Sequence, residues 1–388
     1  MSKSNPSNDS NTDGTVDRVL NILNNEGQKE KSAFEEGNSL LIGKDANLIR
    51  KREEEYRDIQ KQWVRREVWL KTANSILKKK GKKGNKQRIR YLTLPAYHRL
   101  DVSLFLKEGL LEITKRSKGA PEEIYVAAFE NDPSKFALMK EQSPGFRLFG
   151  CESIENVLTD KNNKYYHELR NLFPFDVINL DLTTSITPEH EGPYSKTMDA
   201  VDTIFDIQSG QGIDWALFLT FRNVPDELEE GARSQLFRNL QNNIDNNPEV
   251  LEVFQNRYQK DSVKDLEKSD VKKCISQSVV KWLVDRAHQH KFKVGSSIQV
   301  YHYPRLNAGI PPYEIYKHVL ELTPAGINPA HIPTKNIPVQ AWMTRDLKKC
   351  VEQHKCRDVD DIIIRLLEKA HAKYEDLEDE VESLCKMI

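Results

Sequence analysis

Length, composition and charge exclude several classes of protein. The chain has 388 residues, of which 38% are hydrophobic and 30% charged, and its formal net charge is −1, so no overall field marks it as a nucleic-acid or membrane binder. No apolar run reaches the roughly 18 residues of a membrane span, and the five cysteines form no CxxC pair. We therefore expect a cytoplasmic protein with no metal site, built from one α/β domain of about 200–250 residues and appended elements.

The N-terminal region divides into a tail and a helix. Residues 1–45 are dominated by Ser, Asn, Asp, Glu and Gly, a composition typical of a disordered tail. Residues 46–87 predict a helix that ends near Lys80 and a basic linker that contains no acidic residue. The linker lysines are either solvated or contact phosphate groups of a nucleic acid. The candidates for phosphate contacts are Lys79, Lys80, Lys82 and Lys83.

An alternation of strands and helices follows from residue 88 to residue 222. Each predicted strand is a short run of apolar, β-branched or aromatic residues, and a helix-length segment follows each of the first three. This order indicates a parallel sheet with crossover helices, in which ligands bind at the carboxyl ends of the strands. The five predicted strands are residues 89–95, 124–130, 146–150, 175–181 and 215–221.

The second half of the domain predicts two helical regions, residues 225–258 and 262–290, and then a hairpin. Residues 297–303 and 313–322 alternate in period two and are separated by a segment rich in Pro, Asn and Gly, which is typical of an antiparallel hairpin. Five parallel strands and this hairpin give a seven-stranded, mostly parallel, doubly wound sheet. We assign it to residues 88–325.

Three local patterns carry a resemblance to a known family. Residues 129–133 read FENDP, Glu152 follows the third strand, and residues 175–185 read FDVINLDLTTS. With the strand order, they make residues 88–322 similar to class I S-adenosylmethionine-dependent methyltransferases, which have a Rossmann-like fold. The resemblance implies that S-adenosylmethionine is the cofactor and that Glu130 accepts hydrogen bonds from its ribose. It also implies that Glu152 lies near the adenine and that Asp181 lies beside a target amine of a nucleic acid.

The chain departs from this family in two places. The loop that follows the first strand and begins at Thr93 reads TLPAYHRLD, whereas the family has a glycine-rich loop whose backbone approaches the cofactor. Leu182 and Thr183 replace the Pro-Pro or Pro-Phe that follows the acid of the fourth strand. A methyltransferase that acts on nucleic acid and a non-catalytic nucleic-acid-binding or regulatory protein that retains the fold are therefore both open. An interaction scaffold that uses the helical ends is a third hypothesis.

The C-terminal residues 326–388 predict a separate strand-helix-helix module. A strand at residues 339–344 precedes helices at residues 345–354 and 359–374, an order that resembles the ribbon-helix-helix proteins. The resemblance implies a homodimer whose paired strands contact DNA, with Gln340 at a base edge. A helix pair used only for dimerisation or docking fits the pattern equally well.

Overall fold

The computed structural model describes part of the chain, and all of that part except the last strand lies between residues 61 and 324. The residues described are 61, 63–80, 88–95, 99–112, 125–142, 146–182, 184–187, 196–225, 228–294, 298–307, 310–324 and 345–346. They belong to one unit, Gln60–His354. The predicted tail, Lys82, Lys83, Gln340 and the helices of the predicted C-terminal module beyond residue 346 lie outside the described residues.

A nine-stranded mixed sheet organises this unit. Eight strands follow one another in the order β3-β2-β1-β4-β5-β8-β7-β9, and β6 pairs with β8. Strands β1 to β5 are parallel, whereas β8 runs antiparallel to β5, β6 and β7. The strands are β1 (Tyr91–Thr93), β2 (Val126–Glu130), β3 (Arg147–Gly150), β4 (Val177–Asp181), β5 (Trp215–Asn223), β6 (Phe292–Val294), β7 (Gln299–Asn307), β8 (Ile310–Pro324) and β9 (Arg345–Asp346).

The predicted α/β class with a mostly parallel sheet and an antiparallel hairpin is confirmed, but seven strands is too low a count. Strand β6 has three residues and β9 has two, and neither is long enough for a period-two pattern to stand out. The prediction that a helix begins at Arg345 is wrong. Arg345 lies in β9 and pairs in parallel with Tyr301, because the edge of β7 offers unpaired backbone groups to a passing segment.

The helices connect the strands in the expected places. The predicted N-terminal helix is confirmed over its described part, α1, which is π-helical over Val64–Leu70 and α-helical over Lys71–Lys80. The other helices are α2 (Leu100–Lys107), α3 (Pro133–Gln142), α4 (Ile154–Thr159), α5 (Tyr166–Leu172), α6 (Lys196–Ser209), α7 (Glu230–Asn246), α8 (Pro248–Tyr258) and α9 (Lys268–Gln289), with a 3₁₀ turn at Val263–Asp265.

The helical region predicted for residues 225–258 is two helices. Asn247 separates them, and its side chain accepts a hydrogen bond from the backbone amide of Glu249 at 3.2 Å. Pro248 then occupies the first position of α8, where its missing N–H costs nothing. An Asn cap followed by Pro is a helix start signal, so the sequence contains the reason for the break.

Helices cover both faces of the sheet. Because side chains alternate along each strand, both faces contribute side chains that pack against helices. Leu217 and Leu219 of β5 lie in the same buried core as Val280 of α9. Phe218, between them, faces the other side and stacks on Trp69 of α1, with ring centroids 5.5 Å apart and planes 3° apart. Among the residues that the structure describes, no helix is both long and apolar enough to cross a membrane.

Candidate functional site

The strand-end residues singled out from the sequence come together at one edge of the sheet. Thr93, Glu130 and Asp181 are the last residues of β1, β2 and β4, and Glu152 follows the end of β3 by two residues. These strands are parallel neighbours in the order β3-β2-β1-β4. Their carboxyl ends therefore form one edge, which is where open α/β sheets bind ligands.

Thr93 belongs to a buried polar network rather than to an open loop. Oδ2 of Asp101 accepts hydrogen bonds from Thr93 Oγ1 at 2.8 Å, from Tyr91 Oη at 2.5 Å and from Asn179 Nδ2 at 3.2 Å. Burial, and then the neighbouring Asp101 carboxylate, raises the pKa of Tyr91 well above its usual value. The network ties α2 to β1 and β4 and holds the Thr93 hydroxyl on a protein carboxylate.

Glu130 has a different environment, because it forms hydrogen bonds to the backbone and no ion pair within the described part of the chain. The side chain is half-buried, and its Oε1 accepts a hydrogen bond from the backbone amide of Asp132 at 2.9 Å. Burial raises the pKa of Glu130, while the amide of Asp132 and the charge of Lys135 act against that rise. Glu130 forms no ion pair with any residue that the structure describes. It is the acceptor at this edge that a ligand with hydroxyl donors fits best.

A glycine stands beside Glu130 for a steric reason. Gly150 is the register partner of Glu130 in β3, and the ring of Phe136 from α3 lies against its Cα. A Cβ at this position would clash with that ring. The backbone beside the carboxylate of Glu130 is therefore covered by an aromatic ring, which only glycine permits.

Glu152 uses both carboxylate oxygens to organise the turn after β3. Oε1 accepts from Asn156 Nδ2 at 3.0 Å and from the backbone amide of Ser153 at 3.3 Å, and Oε2 accepts from Asn163 Nδ2 at 3.2 Å. The hydrogen bond from Asn156 is the main cause of the lowered pKa of Glu152. The carboxylate is thus held ionised at the start of α4.

Asp181 lies among cations. Its Oδ2 is 3.2 Å from Lys61 Nζ, and its Oδ1 is 3.9 Å from Lys317 Nζ. Burial acts to raise the pKa of Asp181, but the charges of Lys61, Lys317 and Arg65 together outweigh burial and hold that pKa well below its usual range. Asp181 therefore remains a carboxylate that stabilises positive charge.

Sequence reasoning missed the cations around Asp181. Lys317 of β8 lies in one register row with Asp181 and Thr220 across β4, β5 and β8. Its side chain is 1% exposed, and its Nζ lies 4.9 Å from the ring centroid of Trp69. On the helix side, Lys61, Arg65 and Trp69 are four residues apart, a spacing that puts them on one stripe of a helix. That spacing was the available signal.

The chain belongs to the PP_RS20740-like family. The family model matches residues 59–115 and 151–311, more than half of the chain. No curated protein matches the chain. The matched ranges include Lys61, Thr93, Glu152 and Asp181, whereas Glu130 lies between them.

The lysines predicted to contact nucleic acid are placed only in part. Lys79 Nζ lies 2.8 Å from a carboxylate oxygen of Glu321 in β8, and Lys80 Nζ lies 2.7 Å from Asp176 Oδ2, just before β4. Both lysines therefore attach the end of α1 to the amino-end side of the sheet, opposite the edge that carries Asp181. No group of three metal-ligating side chains occurs within the described residues.

Proposed function

We propose that residues 88–325 form an S-adenosylmethionine-dependent methyltransferase-like domain that acts on nucleic acid or derives from an enzyme that did. The observation that carries the proposal is Glu130, a half-buried carboxylate at the carboxyl end of β2 without an ion pair among the described residues. A ribose offers two neighbouring hydroxyl donors, and a carboxylate offers the two acceptor oxygens that match them.

The sheet supports the same proposal. Five parallel strands continued by an antiparallel pair are the arrangement implied by the resemblance in the sequence. Glu152 is fixed in its ionised form beside β3, and the carboxylate can accept a further hydrogen bond from an adenine amino group. The adenosine half of the cofactor therefore fits the residues of β2 and β3.

The methionine half of the cofactor fits less closely. The Thr93 hydroxyl donates a hydrogen bond to Asp101, and no glycine occurs in residues 93–101. The cofactor supplies the methyl group and the sulfonium that makes its transfer favourable. The residues of the chain would bind and orient it, so we expect its affinity to depend mainly on Glu130.

Calorimetric titration of the full chain with S-adenosylmethionine tests the proposal. Glu130→Gln should weaken binding by about 1.5–3 kcal/mol, or roughly tenfold to 100-fold, the cost of a charge-assisted hydrogen bond. Glu108→Gln, at an exposed position after α2, is the matched control and should bind like the wild type. Equal affinities for all three proteins, or no binding by the wild type, would rule out this cofactor site.

A non-catalytic nucleic-acid-binding or regulatory protein that retains the fold is the second candidate, and Asp181 is the observation that favours it. Its carboxylate is held by Lys61 and Lys317 and Leu182 follows it, so the residue is not placed to take a proton from a target amine. This candidate predicts salt-dependent binding of nucleic acid without transfer of a labelled methyl group. Methyl transfer to DNA or RNA by the wild type would exclude it.

A further inference from the structure

We propose that the cations around Asp181 bind a phosphate monoester group, between α1 and the carboxyl ends of β4 and β5. The group would come from a free nucleotide or from the phosphorylated end of a nucleic-acid strand. S-adenosylmethionine carries no phosphate, so this site is distinct from the one proposed at Glu130 and does not depend on it.

Arg65 carries the inference. Arg65 is 6% exposed, and its Nε and Nη1 are buried without a hydrogen-bond partner among the described residues. Buried guanidinium donors are normally satisfied, because an unpaired charged donor loses its hydration without compensation. A phosphate presents oxygens at the spacing of the guanidinium fork, so one ligand group could satisfy both Nε and Nη1.

The local charge supports an anion rather than a neutral ligand. Lys61, Arg65 and Lys317 are the cations that act on Asp181, which makes three positive charges around one carboxylate. Burying like charges together is unfavourable unless opposite charges are present. A phosphate monoester carries close to two negative charges at neutral pH, so it interacts with these cations more strongly than a carboxylate ligand, which carries one.

The cations come from two elements that face each other. Lys61 precedes α1 and Arg65 lies four residues later in its π-helical part, and Lys317 lies on β8 in the register row of Asp181. Trp69, next on the helical stripe, packs on Phe218 and against Lys317. The aromatic rings lower the local dielectric constant, which strengthens the attraction between these cations and an anion.

The depth of the site restricts the form of the ligand. A phosphodiester within a duplex stays at the protein surface, and the buried Nε and Nη1 of Arg65 cannot reach it without a large change in the structure. A single nucleotide or a strand end is narrow enough to enter between a helix and a sheet edge. The proposal is therefore limited to monoester phosphate.

Titrations of the full chain with inorganic phosphate and with adenosine monophosphate test the proposal. A pair of oligonucleotides that differ only in a 5′-phosphate tests for strand ends. We expect the wild type to bind phosphate and at least one of the larger ligands. Arg65→Gln should raise the dissociation constant by at least about tenfold. Arg238→Gln, on an exposed part of α7, should leave it unchanged.

Two further measurements keep the outcome clear. If Arg65→Gln does not fold, Lys61→Gln replaces it and should weaken phosphate binding in the same direction. Binding of S-adenosylmethionine should be unchanged in either variant, so failure of this proposal and failure of the Glu130 proposal give different results. No phosphate binding by the wild type, or equal binding by the variants and the Arg238→Gln control, overturns the phosphate site.

Discussion

Acid should destabilise this domain through His318. The side chain is fully buried on β8, where its ring stacks on Phe221 at 5.1 Å and its Nε2 lies 3.0 Å from Ser276 Oγ. Burial lowers the pKa of His318 from 6.5 to about 4. In the unfolded chain His318 becomes protonated near pH 6.5, whereas in the folded protein it becomes protonated only near pH 4. The free energy of unfolding therefore falls as the pH falls from 6.5 to 4. At 1.36 kcal/mol for each pH unit, the loss attributable to His318 approaches about 3 kcal/mol at pH 4.

Urea unfolding at several pH values between 7 and 4.5 measures this effect. His318→Gln keeps a polar group near Ser276 but cannot titrate, so its free energy of unfolding should fall less steeply with pH than that of the wild type. The comparison uses the slopes, because the substitution also changes packing against Phe221. His167→Gln, at an exposed position, should keep the wild-type slope. Identical slopes in His318→Gln and the wild type would show that burial of this imidazole does not control the acid sensitivity.

Two substitutions test the packing beside the candidate site. Asp101→Ala leaves three buried donors without their acceptor and should lower the free energy of unfolding by at least about 3 kcal/mol. The control, Asp265→Ala at an exposed position of the 3₁₀ turn, should change it little. Equal losses of free energy in urea unfolding would contradict the role of the network. Gly150→Ala places a methyl group against the ring of Phe136 and should cost about 1–3 kcal/mol. Gly210→Ala meets no atom within 4 Å and is its control; equal thermal midpoints for these two would refute the steric argument.

The parallel half of the fold could be predicted from the sequence because its signals are local. Each strand from β1 to β5 is an apolar run, and β2 and β4 each end on an acidic residue, Glu130 and Asp181. The last strand could not be placed in the same way: the sequence predicts a strand at residues 339–344, whereas the described strand is Arg345–Asp346. Arg345 pairs with Tyr301, and a strand of two residues is decided by the free edge it meets and not by its own composition.

The partners of the site residues could not be predicted in the same way. Asp181 was found because it ends a strand, but Lys61 and Lys317 come from a helix and a hairpin strand far away in the sequence. In a chain with 30% charged residues, a lysine in a helix or on one face of a hairpin is usually solvated. Only the fold shows that Lys317 lies beneath Trp69 and against Asp181.

The two sides of the carboxyl edge of the sheet differ in charge, and this difference argues for two ligand groups of different chemistry. On one side, Glu130 is a carboxylate without an ion pair among the described residues, so it favours hydroxyl or amino donors. On the other side, Asp181 is surrounded by cations, and Arg65 retains two unused donors, so that side favours an anion. The buried hydrogen-bond network on Asp101, which joins β1 and β4, lies between them. Glu130→Gln and Arg65→Gln should therefore weaken the binding of different ligands, and a single variant that weakened both equally would contradict this division.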